Sequence, residues 1–208
     1  MLNNAAARRV MAVAIDPVAR GLLALRVSPD AVTLIGTLGT CVGALAFFPR
    51  ESWAVGTLVI VAFVFSDLLD GTMARMSGRS GPWGAFLDST LDRVADGAVF
   101  GGMVLGFAHA GDSRTAGVAL ACLVGGAVVS YAKARAESIG VECNVGIAER
   151  AERLIIALFA AFLYGVGVPY VLPAALWILA VLTWVTVGQR IWHVRQQLRT
   201  GHAPEVVS

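Results

Sequence analysis

Charge is scarce in this chain. Only 14% of its 208 residues are Asp, Glu, Lys or Arg, and Lys133 is the single lysine. With 57% hydrophobic residues and a mean hydropathy of +0.74, that scarcity excludes an ordinary soluble domain and points to an integral membrane protein. Cysteine and histidine are equally sparse. Cys41, Cys122 and Cys143 have no metal-type spacing, and the first two fall inside apolar runs, so they read as packing residues. His109, His193 and His202 are scattered without partners, which excludes a zinc site. A net charge of +2 is too small to argue for nucleic acid. A secretory signal is also lacking, because the apolar piece "VMAVAI" is short and meets Asp16-Pro17 without a small-residue cleavage pattern.

What the chain does have is long uncharged runs. A bilayer core of roughly 30 Å needs about 20 apolar residues per helix. Runs of that size occur around 31–48, from Ser52 into the following acidic stretch, from Gly84 to about Phe107, and over roughly 115–138. The uncharged stretch from Leu154 to Gln189 is too long for one helix, and "YGVGVPYVLP" divides it, since clustered Gly and Pro mark a turn. The expected fold is an all-α integral membrane protein of one domain over 1–208. It comprises an interfacial segment over 1–28, six transmembrane helices over 29–190 and a short polar tail over 191–208. Arg8, Arg9, Arg20 and Arg26 among Ala, Val and Leu suit a basic helix lying along the headgroups, with an ordinary charged tail as the alternative. Basic residues cluster in the N-terminal segment, the 75–83 loop, the 133–153 segment and the 190–199 tail. The opposite loops hold Arg50 and Arg114, each beside an acid. By the positive-inside rule, both termini and the acidic stretch face the cytoplasm of a plasma membrane.

Within that greasy frame, residues 67–92 read "DLLDGTMARMSGRSGPWGAFLDSTLD". Asp67 and Asp70 are three apart and Asp88 and Asp92 four apart, so on helices each pair shares a face. Carboxylates at the end of a membrane span are costly unless paired, metal-bound or in water, and like charges at this spacing repel. A divalent cation relieves both problems, and all-oxygen ligation favours Mg²⁺ or Mn²⁺. Two such ions can hold a diphosphate while stabilising attacking and leaving oxygens. Gly71 and Ala74 leave room for a bulky substrate, Arg75 can neutralise phosphate, and the loop "MSGRSGP" offers backbone N–H groups. The plainer alternative is solvated charge, or ion pairs with Arg75, Arg79 and Arg93.

The run Asp67, Asp70-Gly71, Ala74-Arg75, Gly84, Asp88 and Asp92 resembles, without a gap, the signature of the CDP-alcohol phosphatidyltransferase family. That resemblance implies a six-helix membrane fold, usually a homodimer, with a two-metal site at the cytoplasmic face that displaces CMP from a CDP-linked lipid. It also implies that Asp67, Asp70, Asp88 and Asp92 ligate the metals and that Asp92 is the general base. Gly71, Ala74 and Arg75 resemble the nucleotide-contacting positions. A further CDP-lipid contact is expected from "SPDAVT", where Asp30, Ala31, Val32 and Thr33 stand, although the family often has Asn at the place of Asp30, and Asp30 reads equally as a helix N-cap. Gly81 lies where some relatives carry a hydroxyl residue. Asp96 continues the face of Asp88 and Asp92 outside the signature and reads as structural.

The motif leaves the acceptor alcohol open. Ser130 and Lys133 lie one turn apart, Arg153 opens the fifth run, and Arg190 ends the sixth. Gathered beside the aspartates, these four would form a cationic pocket for an acceptor that itself carries a phosphate. For Arg190, and more strongly for Arg195 and Arg199, flanking charge is the alternative. "SYAKARAE", "ERAERLI" and "SPDAVTLIGT" are similar to the actinobacterial phosphatidylinositol phosphate synthases within that family. In that group the matching Ser, Lys and two Arg bind inositol phosphate. The reaction so implied joins CDP-diacylglycerol with 1D-myo-inositol 3-phosphate. Two rivals stand beside it: transfer to glycerol 3-phosphate, as in phosphatidylglycerophosphate synthases, and a divalent-cation transporter, whose acids would lie near mid-membrane.

Overall fold

The computed structural model describes residues 5–78 and 81–200; the side chains of 5–14 and 66–68 lie outside the description. Arg79, the polar end of the tail and the carboxylate of Asp67 therefore fall outside the described set. The described residues form eight α-helices: α1 (Ala5–Ala24), α2 (Pro29–Phe47), α3 (Trp53–Val64), α4 (Ser66–Met76), α5 (Pro82–His109), α6 (Ser113–Ser138), α7 (Arg150–Gly165) and α8 (Val171–Arg199).

Local chemistry sets the helix starts. At α2 the N-cap is Ser28, whose Oγ accepts from the Ala31 amide at 3.2 Å while Pro29 fills the first helical position. This corrects the capping alternative for Asp30, which sits inside the first turn, where the helix dipole favours a carboxylate. At α6 the cap is Asp112, accepting from both the amide and the hydroxyl of Thr115 at 3.0 and 2.6 Å. At α7, Glu152 reaches back to the Glu149 amide at 2.7 Å, so part of "ERAERLI" is a helix-start device.

Among the described residues, four segments are long and apolar enough to cross a membrane: Pro29–Arg50, Trp53–Met76, Ser113–Ser138 and Val171–Arg199. The second is interrupted at Phe65, just before the acidic stretch, where α3 gives way to α4. Two further helices that the sequence marks as spans do not pass on length and composition. α5 carries Asp88, Asp92, Arg93 and Asp96 between its start and its middle, and α7 has only 16 residues, about 24 Å of helix.

Connectivity alternates direction, so the starts of α2, α5 and α7 and the ends of α4, α6 and α8 share one end of the bundle. α5 lies between α2 and α6, and α7 between α3 and α8. The α2–α5 approach is close. A Cβ on Gly102 would stand 2.8 Å from the Ala44 carbonyl oxygen, and one on Gly106 would stand 2.6 Å from that of Phe48. Small residues at such crossings let backbones meet and dispersion contacts form, which matters where lipid supplies no hydrophobic drive between helices. At the far end, Trp53 packs against Phe48 and Phe107, with ring centroids 5.1 Å away in both cases, and edge-on to Tyr164. This apolar lock leaves the other end to carry the polar groups. There Ala19 of α1, Val32 of α2 and Met73 of α4 pack together, so the N-terminal helix braces the acidic segment.

Candidate active site

At that end, a cleft of about 340 Å³ opens between the start of α2, α4 and the start of α5. Its lining brings together Asp30, Thr33, Asp70, Gly71, Ala74, Arg75, Gly81, Gly84 and Asp88, residues separated by up to 58 positions in sequence. Two residues expected with them are elsewhere. Ala31 lies on the same turn but outside the lining, and Val32 is buried against Met73.

The deepest carboxylate in the cleft is Asp70, 7% exposed. The Thr33 hydroxyl, 8% exposed, lies 2.5 Å from Asp70 Oδ2 and 3.2 Å from the Pro29 carbonyl. A carboxylate so buried needs such a donor, because an unsatisfied charge there carries its full desolvation cost. Arg75 lies exposed at the rim, donating to the Thr72 hydroxyl at 3.0 Å. Trp83, exposed on the first turn of α5, donates its indole N–H to Asp30 at 3.1 Å. Asp88 is exposed toward the cleft.

One turn further along α5, Asp92 faces a different neighbourhood. Its Oδ1 is 2.9 Å from Arg150 Nη2, and its Oδ2 is 3.7 Å from Arg93. The same two arginines hold Asp96, at 3.2 and 3.7 Å, in agreement with a structural reading of that residue. The acidic face of α5 is thus divided: Asp88 lines the cleft, whereas Asp92 and Asp96 are paired with cations. Among the described residues, no group of three or more acidic, histidine or cysteine side chains closes into a metal cage.

The four expected acceptor residues occupy the neighbouring ends of α6, α7 and α8, but in different states. Ser130 accepts from Arg93 and donates to the Gly126 carbonyl at 3.0 Å. Arg153 is 2% exposed, donates to the Ala148 carbonyl at 2.9 Å and lies over Gly126, where a Cβ would stand 3.3 Å from its Nη2. Arg190, 4% exposed, donates to the carbonyls of Val145 and Val129 at 2.9 and 2.6 Å. Lys133 points outward and pairs with Glu137 at 3.8 Å. The two buried arginines therefore tie α7 and α8 to α6 and to the segment before α7, while retaining further N–H groups for an anion.

Sequence reasoning passed over three residues of this region. Trp83 gave no signal beyond being aromatic in a polar loop. Arg93 sits between Asp92 and Asp96 and was visible only as a counter-charge. Arg150 belongs to the "ERAER" run, which drew notice for likeness rather than for its reach to Asp92.

Comparison with known proteins supplies the remaining findings. The family model for CDP-alcohol phosphatidyltransferase matches residues 26–192. A phosphatidylinositol phosphate synthase of Streptomyces avermitilis is 52% identical over 205 residues, covering 95% of this chain and 84% of that protein. The corresponding Mycobacterium marinum protein is 46% identical over 197 residues, covering 93% and 82%. Among solved structures, Mycobacterium tuberculosis phosphatidylinositol phosphate synthase with CDP-DAG bound superposes with a TM-score of 0.84 at 40% identity, over 92% of this chain and 96% of that one. A second structure of the same enzyme, in complex with manganese and citrate, has the same score and identity, over 92% and 91%.

Proposed function

This chain belongs to the CDP-alcohol phosphatidyltransferase family, and we propose that it transfers the phosphatidyl group of CDP-diacylglycerol to 1D-myo-inositol 3-phosphate, releasing CMP. The observation that carries the reading is the cleft. It gathers Asp70, Gly71, Ala74, Arg75 and Asp88 at one end of an apolar bundle, where a lipid's diphosphate would enter while its tails stay among helices. The acceptor assignment is supported by relatives at 52% and 46% identity that carry the name phosphatidylinositol phosphate synthase.

A divalent cation fits the donors, because Asp70 and Asp88 face one cleft and no thiol or imidazole lines it. Asp67, Asp70, Asp88 and Asp92 would hold two ions, Mg²⁺ or Mn²⁺, and a related structure contains manganese. Bound there, they would polarise the diphosphate and stabilise charge on attacking and leaving oxygens. The chain's own groups perform the rest. Arg75 at the rim neutralises the nucleotide phosphate, and the small side of α4 at Gly71 and Ala74 admits it. Asp30, Thr33 and Gly81 border the nucleotide through side chain or backbone. Ser130, Lys133, Arg153 and Arg190 orient the acceptor phosphate, and Arg93 and Arg150 position Asp92. The acceptor hydroxyl attacks the phosphorus bonded to diacylglycerol as Asp92 takes its proton, and the bond from that phosphorus to the CMP oxygen breaks.

The chain works as a homodimer in this reading, with α5 and α7 completing six membrane helices, α1 along the interface, and both termini and the cleft on the cytoplasmic side. The test is CMP release by purified protein with CDP-diacylglycerol and Mg²⁺, offering inositol phosphate, free inositol, glycerol 3-phosphate and serine separately. Release with inositol phosphate alone is expected. Release with glycerol 3-phosphate alone overturns the acceptor and leaves the cleft reading standing.

A further inference from the structure

A second concavity, of about 610 Å³, lies between the last turns of α6 and α8 and shares no lining residue with the cleft. Its walls are apolar: Val128, Ile139, Val194 and Leu198 line it, and Tyr131 and Ile191 stand 69% and 62% exposed beside them. Its rim is cationic. Arg135 approaches from α6, while Arg195 and Arg199 lie one turn apart on α8, and all three are exposed. Among the described residues none of the three forms an ion pair, and no carboxylate lines the groove. Arg135 uses one N–H on Ser138, at 3.1 Å, which leaves the rest of its fork available. Arg190 forms the inner wall, its guanidinium already bonded to backbone carbonyls.

Position identifies the occupant. α8 has 29 residues, about 43 Å of helix, against a hydrocarbon core of roughly 30 Å. Its uncharged run ends at Gln189, so the segment from Arg190 onward projects through the headgroup layer. Trp192, 59% exposed, adds the aromatic anchoring typical of that depth. An apolar trough continuous with the membrane, bordered at headgroup level by three unpaired arginines, complements a molecule with acyl chains and a negative head.

We infer that the groove between α6 and α8 binds an anionic phospholipid of the surrounding bilayer, at a site separate from the substrate cleft. The inference rests on α6 and α8 crossing the membrane and is independent of the acceptor's identity. Arg135, Arg195 and Arg199 hold the lipid phosphate, and one acyl chain runs down the trough past Ile191 and Val128 toward the hydrocarbon core. Because Arg190 backs the groove, an occupied site also packs against the helix end that reaches the acceptor pocket.

The full chain, purified in detergent, is titrated with phosphatidylglycerol or with phosphatidylcholine of the same acyl chains, and retained lipid is counted by native mass spectrometry. CDP-diacylglycerol saturates the cleft in every arm. Retention of one phosphatidylglycerol per chain, in preference to phosphatidylcholine, is expected. Each arginine near a headgroup contributes about fivefold, so the R135Q/R195Q/R199Q variant should bind phosphatidylglycerol roughly 100-fold more weakly. Ala132→Trp, which fills the trough without touching the charges, should exclude it as well. CMP release by both variants reports that they are folded. Equal retention of the two lipids, or unchanged binding by the triple variant, overturns the proposal. So does full displacement of the lipid by inorganic phosphate, which marks a free-anion site, or a loss of chain copies from the assembly in Ala132→Trp, which marks an interface between copies.

Discussion

Replacing Thr33 by Val removes one hydroxyl and keeps the side chain's volume. It takes from Asp70 a donor at 2.5 Å, in a pair where both residues are more than nine-tenths buried. A hydrogen bond to a charged group contributes about 1.5–3 kcal/mol. If that energy holds the Asp70 carboxylate in the orientation a cation requires, its loss weakens metal affinity by about 10–100-fold, the usual range for removal of a group that orients a ligand. The assay is CMP release against Mg²⁺ or Mn²⁺ concentration, at saturating CDP-diacylglycerol and acceptor. The half-saturating metal concentration should rise by that factor in Thr33→Val, with the maximal rate approached again at high metal. Thr33→Ser, which keeps the hydroxyl, should restore the wild-type curve. A Thr33→Val protein that melts at lower temperature but titrates metal as the wild type does would show that the hydroxyl only ties α2 to α4, and the argument would fail.

Asp92→Asn should lose CMP release while still binding CDP-diacylglycerol; turnover near the wild-type rate would remove Asp92 as the base. Gly106→Ala drives a methyl to 2.6 Å from the Phe48 carbonyl oxygen, an overpacking that should destabilise the α2–α5 crossing by about 1–3 kcal/mol and lower the melting temperature. An unchanged melt would mean that the crossing is not tight. Asp112→Ala removes the α6 cap, worth about 1 kcal/mol. The side-chain and backbone hydrogen bonds from Thr115 hold the Asp112 carboxyl below its usual range. Its contribution is therefore fully present above the unfolded value, about 3.9, and is lost as pH falls through the lower folded one. The gap in melting temperature between wild type and variant should stay constant from neutral pH to about 5 and close in stronger acid; a gap that widens on acidification would contradict this.

Much of the site was legible because its signals are local. Asp70, Gly71, Ala74, Arg75, Gly84 and Asp88 lie within 19 residues on two helices joined by a short loop, so helical spacing alone orients most of them toward one side. The residues expected to bind the acceptor were harder. Ser130, Arg153 and Arg190 come from three helices, and nothing in their spacing tells whether a guanidinium faces solvent or a carbonyl. Asp92 shares a helical face with Asp88, but its pairing with Arg150, 58 positions away, lies beyond any local spacing.

The sequence by itself determined that this chain is a helical membrane protein with carboxylates at the end of its apolar segments. Hydrophobic length and charge scarcity are one-dimensional quantities that the bilayer reads directly. Tertiary structure decided which polar groups meet. The approach of α4 to α2 brings Thr33 to Asp70, that of α5 to α2 brings Trp83 to Asp30, and the placing of the start of α7 against α5 and α6 brings Arg150 to Asp92 and seats Arg153 over Gly126. Such pairings depend on the rotation and depth of each helix against its neighbours. Those are set by the fit of small and large side chains at the crossings, which no single segment contains.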